Sequence, residues 1–128
     1  MIYFLVQLFF SLSLPSSITS LRYSKKNKAG KVIFISHNVP YGTPLGIIRD
    51  PRADPQVFGK NYGSKLVREI IEKYQPVLHI AGHMHENQGS CRIRRTLCIE
   101  AGPALEGKGT IIDFDESVGR IKKVEFIK

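Results

Sequence analysis

The chain of 128 residues is poor in cysteine, in acid and in long apolar runs, and each shortage excludes something. Two cysteines, Cys91 and Cys98, are too few for a framework of bridges and have no Cys-x-x-Cys metal spacing. They flank a short stretch and can pair across a hairpin, but two reduced thiols are the expected state in a cytoplasmic protein. The longest apolar run, Met1 to Leu14, falls short of the roughly 20 residues of a membrane span. It has the length of a signal-peptide core and small residues follow in "SSITS", yet no Lys or Arg precedes Arg22, where a signal carries its charge. The cytoplasm is therefore the expected location and secretion the alternative. A core-facing element or the end of a longer upstream sequence explains the run as well.

Acids number 11 against 19 basic residues, for a formal charge of +8 and a pI near 9.7. This balance favours acidic or phosphorylated partners, although a plain basic surface has the same signature. Hydrophobic content of 42% with 23% charged residues excludes a disordered chain, and the length fits one core. Residues 1–30 read as an apolar segment followed by a basic loop, and residues 31–128 as the folded domain.

"KVIFIS" is a continuous β-branched and aromatic run, the pattern of a strand buried on both faces. A long stretch rich in Pro, Gly, Asp and Asn follows, from "HNVPYGTPLG" to "RDPRADPQVFGKN". "NYGSKLVREIIEKYQP" reads as a helix with Leu66, Val67, Ile70, Ile71 and Tyr74 at helical spacing. Glu69 and Lys73 form an i,i+4 pair on the other side, Asn61 or Ser64 caps the start and Pro76 marks the end. "VLHIAG" is a second buried strand. "RRTLCIEAG", "GTIIDFD" and "IKKVEFIK" read as further strands, the last two joined in a hairpin by "ESVG". The order of strand, helix, strand and then antiparallel strands predicts an α/β sandwich with functional loops leaving strand C-terminal ends.

Three of the four histidines lie within seven positions in "HIAGHMH", and the fourth is in "VIFISHN". His37 and the pair His83 and His85 each sit where a buried strand gives way to a polar loop. A right-handed βαβ crossover brings both loops to one sheet edge. Neutral imidazoles then converge, with Gly82 supplying the sharp turn, and three imidazoles suit transition metals better than Mg or Ca. A His-x-His pair alone is a weak signal, and a strand-end histidine alone is ordinarily a surface or cap residue. His79 lies inside the strand and is expected to be a packed, hydrogen-bonded core histidine.

"VIFISHNVPYGT" and "HIAGHMHE" resemble the last two motifs of the calcineurin-like metallophosphoesterase superfamily, with the intervening helix and "TLCIEAGPALEGKGTIIDFD" similar to that family's C-terminal half. The resemblance covers about Lys31 to Asp115 and implies part of a metallophosphoesterase-type α/β sandwich. It implies that His37 and His83 bind one metal of a two-metal centre and His85 the other, with Mn, Fe or Zn as the ions. Such a pair, about 4 Å apart, activates water and clamps a phosphomono- or phosphodiester for in-line hydrolysis. The family's earlier motifs, Asp-x-His, Gly-Asp-x-x-Asp and Gly-Asn-His, do not occur here, and the only aspartates are Asp50, Asp54, Asp113 and Asp115. The expectation is a C-terminal half, inactive alone, whose uncovered sheet surface invites self-association.

Asn38 and Glu86 are candidates for substrate contact or for orienting a ligand ring, with turn chemistry and a solvated loop acid as their plain readings. Tyr41 and Thr43 have the same two readings. Arg92, Arg94 and Arg95 lie near the histidine loop in sequence, as a solvated strand face or a phosphate-attracting cluster. The alternative function is a non-catalytic basic module that binds nucleic acid or another phosphate-bearing partner, with salt-dependent and metal-independent affinity.

Overall fold

The computed structural model describes residues 32–128 and the backbone of one N-terminal strand, β1 (Ile2–Val6). The signal-like reading of the N-terminus and the basic loop at 24–31 lie outside the described residues. The elements that follow are β2 (Ile33–Ile35), α1 (Lys65–Tyr74), β3 (Leu78–Ala81), β4 (Gly89–Ile93), β5 (Thr96–Glu100), β6 (Gly109–Asp115) and β7 (Arg120–Ile127). They form a mixed α/β fold with two sheets, one of order β2-β3-β5-β4 and one of order β1-β6-β7. Strand β3 is parallel to both β2 and β5, β4 runs antiparallel to β5, and the second sheet is antiparallel throughout. Among the described residues, no helix is long and apolar enough to cross a membrane.

Side-chain alternation along the strands divides the core in two. Leu78, Ile80 and Ile99 point to one face and pack with Ile112, Val124 and Phe126 of the antiparallel sheet. Phe34, Ala81 and Cys98 point to the other face, where Val67 and Ile71 of α1 meet Val39, Leu45 and Met84 of the loops. The four-stranded sheet is thus covered by α1 and the long loop on one side and by a second sheet on the other.

The helix is capped as its sequence predicts. Ser64 Oγ accepts from the Val67 amide at 3.2 Å, and Gln75 closes the far end in the left-handed region with φ 48°. Its apolar stripe is narrower than its spacing predicts. Leu66 is 49% exposed because the side chains reaching the sheet are Val67 and Ile71. The ion pair on the helix is Arg68 with Glu72 at 2.6 Å, rather than Glu69 with Lys73.

"KVIFIS" is not buried on both faces. Among the described residues β2 is an edge strand of its sheet, with Phe34 packed against the His79 ring while Ile35 is 57% exposed. The long loop is ordered by its own polar groups. The Asn61 side chain accepts from the Gly42 and Gly63 amides and donates to Thr43 O at 2.7 Å, and Val39 and Ser64 close its base. Gly63 has to be glycine there, since a Cβ would lie 2.6 Å from Pro40 O.

β4 is not among the separately read strands, although a hairpin between Cys91 and Cys98 is one of the readings its sequence allows. Its turn to β5 uses Arg94, at φ 51°, in place of the glycine or asparagine that marks such turns. This hairpin places Arg94 and Arg95 at the end of the sheet opposite the histidine loop. There they contact the C-terminal end of α1, through Arg94 Nη1 to Glu72 O and the Arg95 amide to Gln75 Oε1. Arg94 therefore brings its positive charge to the helix end, where it offsets the helix dipole, while Arg95 contacts that end through its backbone and Arg92 bonds Arg95 O. The C-terminal hairpin of β6 and β7 forms as expected, with Asp115 Oδ1 accepting from the Ser117 amide and hydroxyl in the turn.

Candidate functional site

β2 and β3 are parallel neighbours joined through α1, so the loops leaving their C-terminal ends emerge together. The Gly82 amide donates to His37 O at 3.2 Å and the Ser36 amide to Ile80 O at 3.1 Å, tying the two loops at their roots. The consequence is direct contact between the histidines they carry. The rings of His37 and His83 stand edge to face with centroids 4.7 Å apart.

The turn expected at Gly82 is taken by His83 itself, at φ 83°. A side chain with a Cβ is held there against a cost of about 1–3 kcal/mol, and such strain collects where a side chain must be aimed. The imidazole of His37 is held below its ordinary value, first by burial and then by His83 and His85. A neutral ring is the form that ligates a metal.

The structure joins two of the three predicted ligands closely and sets the third apart. His85 belongs to a short 3-10 turn, His85–Asn87, and with His83 it lines a cleft of about 600 Å³. Among the described residues, no group of three or more His, Cys, Asp or Glu side chains stands at metal-holding spacing. The donor set therefore fits a metal in part: His37 and His83 offer two imidazoles, and His85, close enough to act on His37 through its charge, does not complete a group of three at metal-holding spacing.

The remaining cleft walls come from residues that sequence reasoning did not single out: Arg49, Asp50, Pro51 and Arg52 of the long loop, and Glu106 and Lys108 beyond β5, with Glu86 beside them. Arg52 pairs with Asp50 at 2.8 Å and Lys108 with Glu106 at 2.7 Å, and both are exposed pairs of little energetic weight. Glu86 Oε1 accepts from the Arg49 amide at 3.4 Å, so it steadies the cleft wall rather than a histidine ring. Asn38 is exposed, and its carbonyl accepts from Ser36 Oγ at 2.8 Å. Thr43 is buried and donates to Pro40 O, which is turn chemistry, while the Tyr41 ring lies under Lys65 Nζ.

Three buried polar residues hold the two loops in place. His79 is fully buried, as its position inside β3 predicts, with Nε2 2.8 Å from Ser36 Oγ. Because that hydroxyl donates to Asn38 O, the ring must donate through Nε2–H, which leaves Nδ1 a buried acceptor without a partner among the described residues. Glu100, at the end of β5, is also fully buried. Its Oε1 accepts from the Gly102 amide at 3.3 Å, and its Oε2 has no hydrogen-bond partner among the described residues. Burial pushes its carboxyl up to about 8 against the opposing pull of the Gly102 and Met84 amides.

Asn87 is the third. Its Nδ2 donates to Leu45 O at 2.9 Å and to Ile47 O at 2.6 Å, pinning the long loop to the histidine loop. Replacing Asn87 by Ala strands both carbonyls and is expected to cost about 2 kcal/mol. Urea melts measure the loss, and amide exchange should quicken at residues 45–49. A stability within about 0.5 kcal/mol of the parent, the usual range for a surface change, would remove the pinning role.

No protein-family model and no curated protein matches the chain. One solved crystal structure matches 77% of this chain and 33% of its own, with 21% identity and a TM-score of 0.56. The crystal structure of TT1561 of Thermus thermophilus is matched over 73% of this chain and 32% of its own, with 18% identity and a TM-score of 0.41. The first likeness is one of fold. This chain spans about one third of the length of either structure.

Proposed function

We propose that this chain carries the histidine part of a metal-dependent phosphoester-hydrolysing centre. The observation that supports it most is the pairing of His37 and His83, from two parallel strand ends, with His83 held in a left-handed backbone conformation. The strand-His and Gly-His-x-His motifs resemble those of the calcineurin-like metallophosphoesterases, and the cleft beside them carries Arg49, Arg52 and Lys108. A divalent transition metal bound at His37 and His83, with His85 toward a second ion, would polarise a phosphoryl oxygen and lower the pKa of its bound water.

The chain's own residues then have separate tasks. Buried His79 and Glu100 fix the two loops, and the His37 ring is held in the neutral form that ligates a metal. Arg49 has no carboxylate partner among the described residues, and its Nη1 donates to Asn87 Oδ1 at 3.5 Å, so a phosphoryl oxygen would meet its guanidinium without breaking an ion pair. A two-metal centre also needs carboxylate oxygens that bridge its ions. The acids in the cleft are engaged elsewhere, Asp50 with Arg52, Glu106 with Lys108 and Glu86 with the Arg49 amide. Hydrolysis by these residues alone is therefore not expected.

Mn or Zn should raise the thermal midpoint of the chain, and His83→Ala should abolish the rise, since a bound metal stabilises only the state that assembles the site. An activated aryl phosphodiester should show no turnover above free metal, and a polypeptide carrying Asp-x-His and Gly-Asn-His, added in trans or by fusion, should restore it. A midpoint indifferent to metal, together with salt-dependent binding of nucleic acid, would replace this proposal with the basic binding module.

A further inference from the structure

Cys91 and Cys98 take no part in the candidate site, yet they are placed against each other. Cys91 on β4 and Cys98 on β5 are direct Cα partners in an antiparallel pair. Facing positions in such a pair bring Cα atoms to roughly 4.5–5.5 Å, inside the range of about 4.4–6.8 Å that a disulfide spans. Both side chains lie on the helix side of the sheet, in or against the same apolar cluster, and both are free thiols. We propose that Cys91 and Cys98 are a dithiol–disulfide couple, oxidised by low-molecular-weight disulfides, that staples the hairpin leading out of the histidine loop.

The two thiols are unequal in a way that sets the order of reaction. Cys91 is half-buried, whereas Cys98 is fully buried. A hydrogen bond from the Cys98 thiol lowers Cys91 against the opposing effect of burial, with the Arg68 guanidinium acting in the same direction as the bond, and Cys98 is raised in turn. Cys91 is therefore the thiolate that attacks, and Cys98 the thiol that resolves. In the first step the Cys91 sulfur bonds to one sulfur of the incoming disulfide and expels the other as a thiolate. In the second, the Cys98 sulfur attacks Cys91 Sγ, its proton passes to the departing thiolate, and the second small thiol leaves. The protein loses two hydrogen atoms and one small disulfide becomes two thiols, so the exchange balances.

The position of the pair gives the staple a consequence. β4 starts at Gly89, immediately after the turn that carries His85, and Glu100 lies two residues beyond Cys98. Closing the bond locks the strands that flank both.

The test uses the full chain and glutathione disulfide at pH 7. Intact mass spectrometry under denaturing, non-reducing conditions should show a monomer lighter by two hydrogen atoms, restored by dithiothreitol. Under reducing conditions, iodoacetamide should label Cys91 at least tenfold faster than Cys98. The Cys98→Ser variant should stop at a mixed disulfide on Cys91, and Cys91→Ser should stay unmodified while folded. A chain that remains fully reduced in excess glutathione disulfide overturns the proposal. So do disulfide-linked dimers as the main product, or faster labelling of Cys98.

Discussion

Replacing Glu100 by Gln should stabilise the protein increasingly as pH rises, by on the order of 4 kcal/mol at pH 8 and above. The carboxyl is fully buried with one oxygen unpartnered among the described residues, and burial raises it from 4.5 to about 8 in the folded chain. Its contribution is complete below pH 4.5, where both states are protonated. Between pH 4.5 and about 8 the unfolded chain ionises while the folded one stays protonated, so stability falls with rising pH. Above pH 8 the folded carboxyl ionises as well and the loss is complete. A glutamine of the same shape keeps an oxygen for the Gly102 amide and has no charge to exclude. Urea denaturation at pH 4.5, 6.5 and 8.5 measures the difference between parent and variant. If that difference stays constant across the three values, Glu100 does not titrate as its burial requires.

His79 governs the opposite limb. Burial lowers its imidazole from 6.5 to about 4 in the folded chain. A depressed histidine contributes stability that is present above pH 6.5 and lost as pH falls to about 4, because the unfolded chain takes up the proton first. The loss is about 3 kcal/mol over that window. His79→Gln preserves a donor for Ser36 Oγ and cannot titrate, so the fall between pH 6.5 and 4 should shrink by about that amount. An acid limb of unchanged depth in the variant would assign acid sensitivity to other groups. Between pH 4.5 and 6.5 the two residues act in opposite senses, and the parent should show a shallow optimum there.

Much of the fold was legible because it is written in local periodicity. The α1 spacing with its Ser64 cap, the alternation in β6 and β7, and the break from apolar strand to polar loop at His37 and at Gly82 are all patterns within a dozen residues. The interior position of His79 was legible for the same reason, since apolar neighbours on both sides place it inside a strand. β4 is only hinted at, by a hairpin pairing of Cys91 with Cys98, because "GSCRI" is short and its turn uses arginines. Ile35 was misjudged because a β-branched run looks alike at the centre and the edge of a sheet. Which it occupies depends on the strands that lie beside it.

The site divides along the same line. Local pattern was enough to put His37, His83 and His85 at strand ends, and the parallel crossover through α1 makes their loops neighbours. That His37 and His83 meet ring to ring while His85 turns to the cleft is a matter of packing, because ring contact depends on the φ of His83 and on hydrogen bonds between the loops. Packing also chose the charges that wall that cleft. Arg49, Arg52 and Lys108 come from loops far apart in the chain, brought together by Asn87 and by the packing of the sheets. The same holds for Glu100. Its charge cost arises from burial on every side, a property of the packed surroundings that no short stretch of sequence contains.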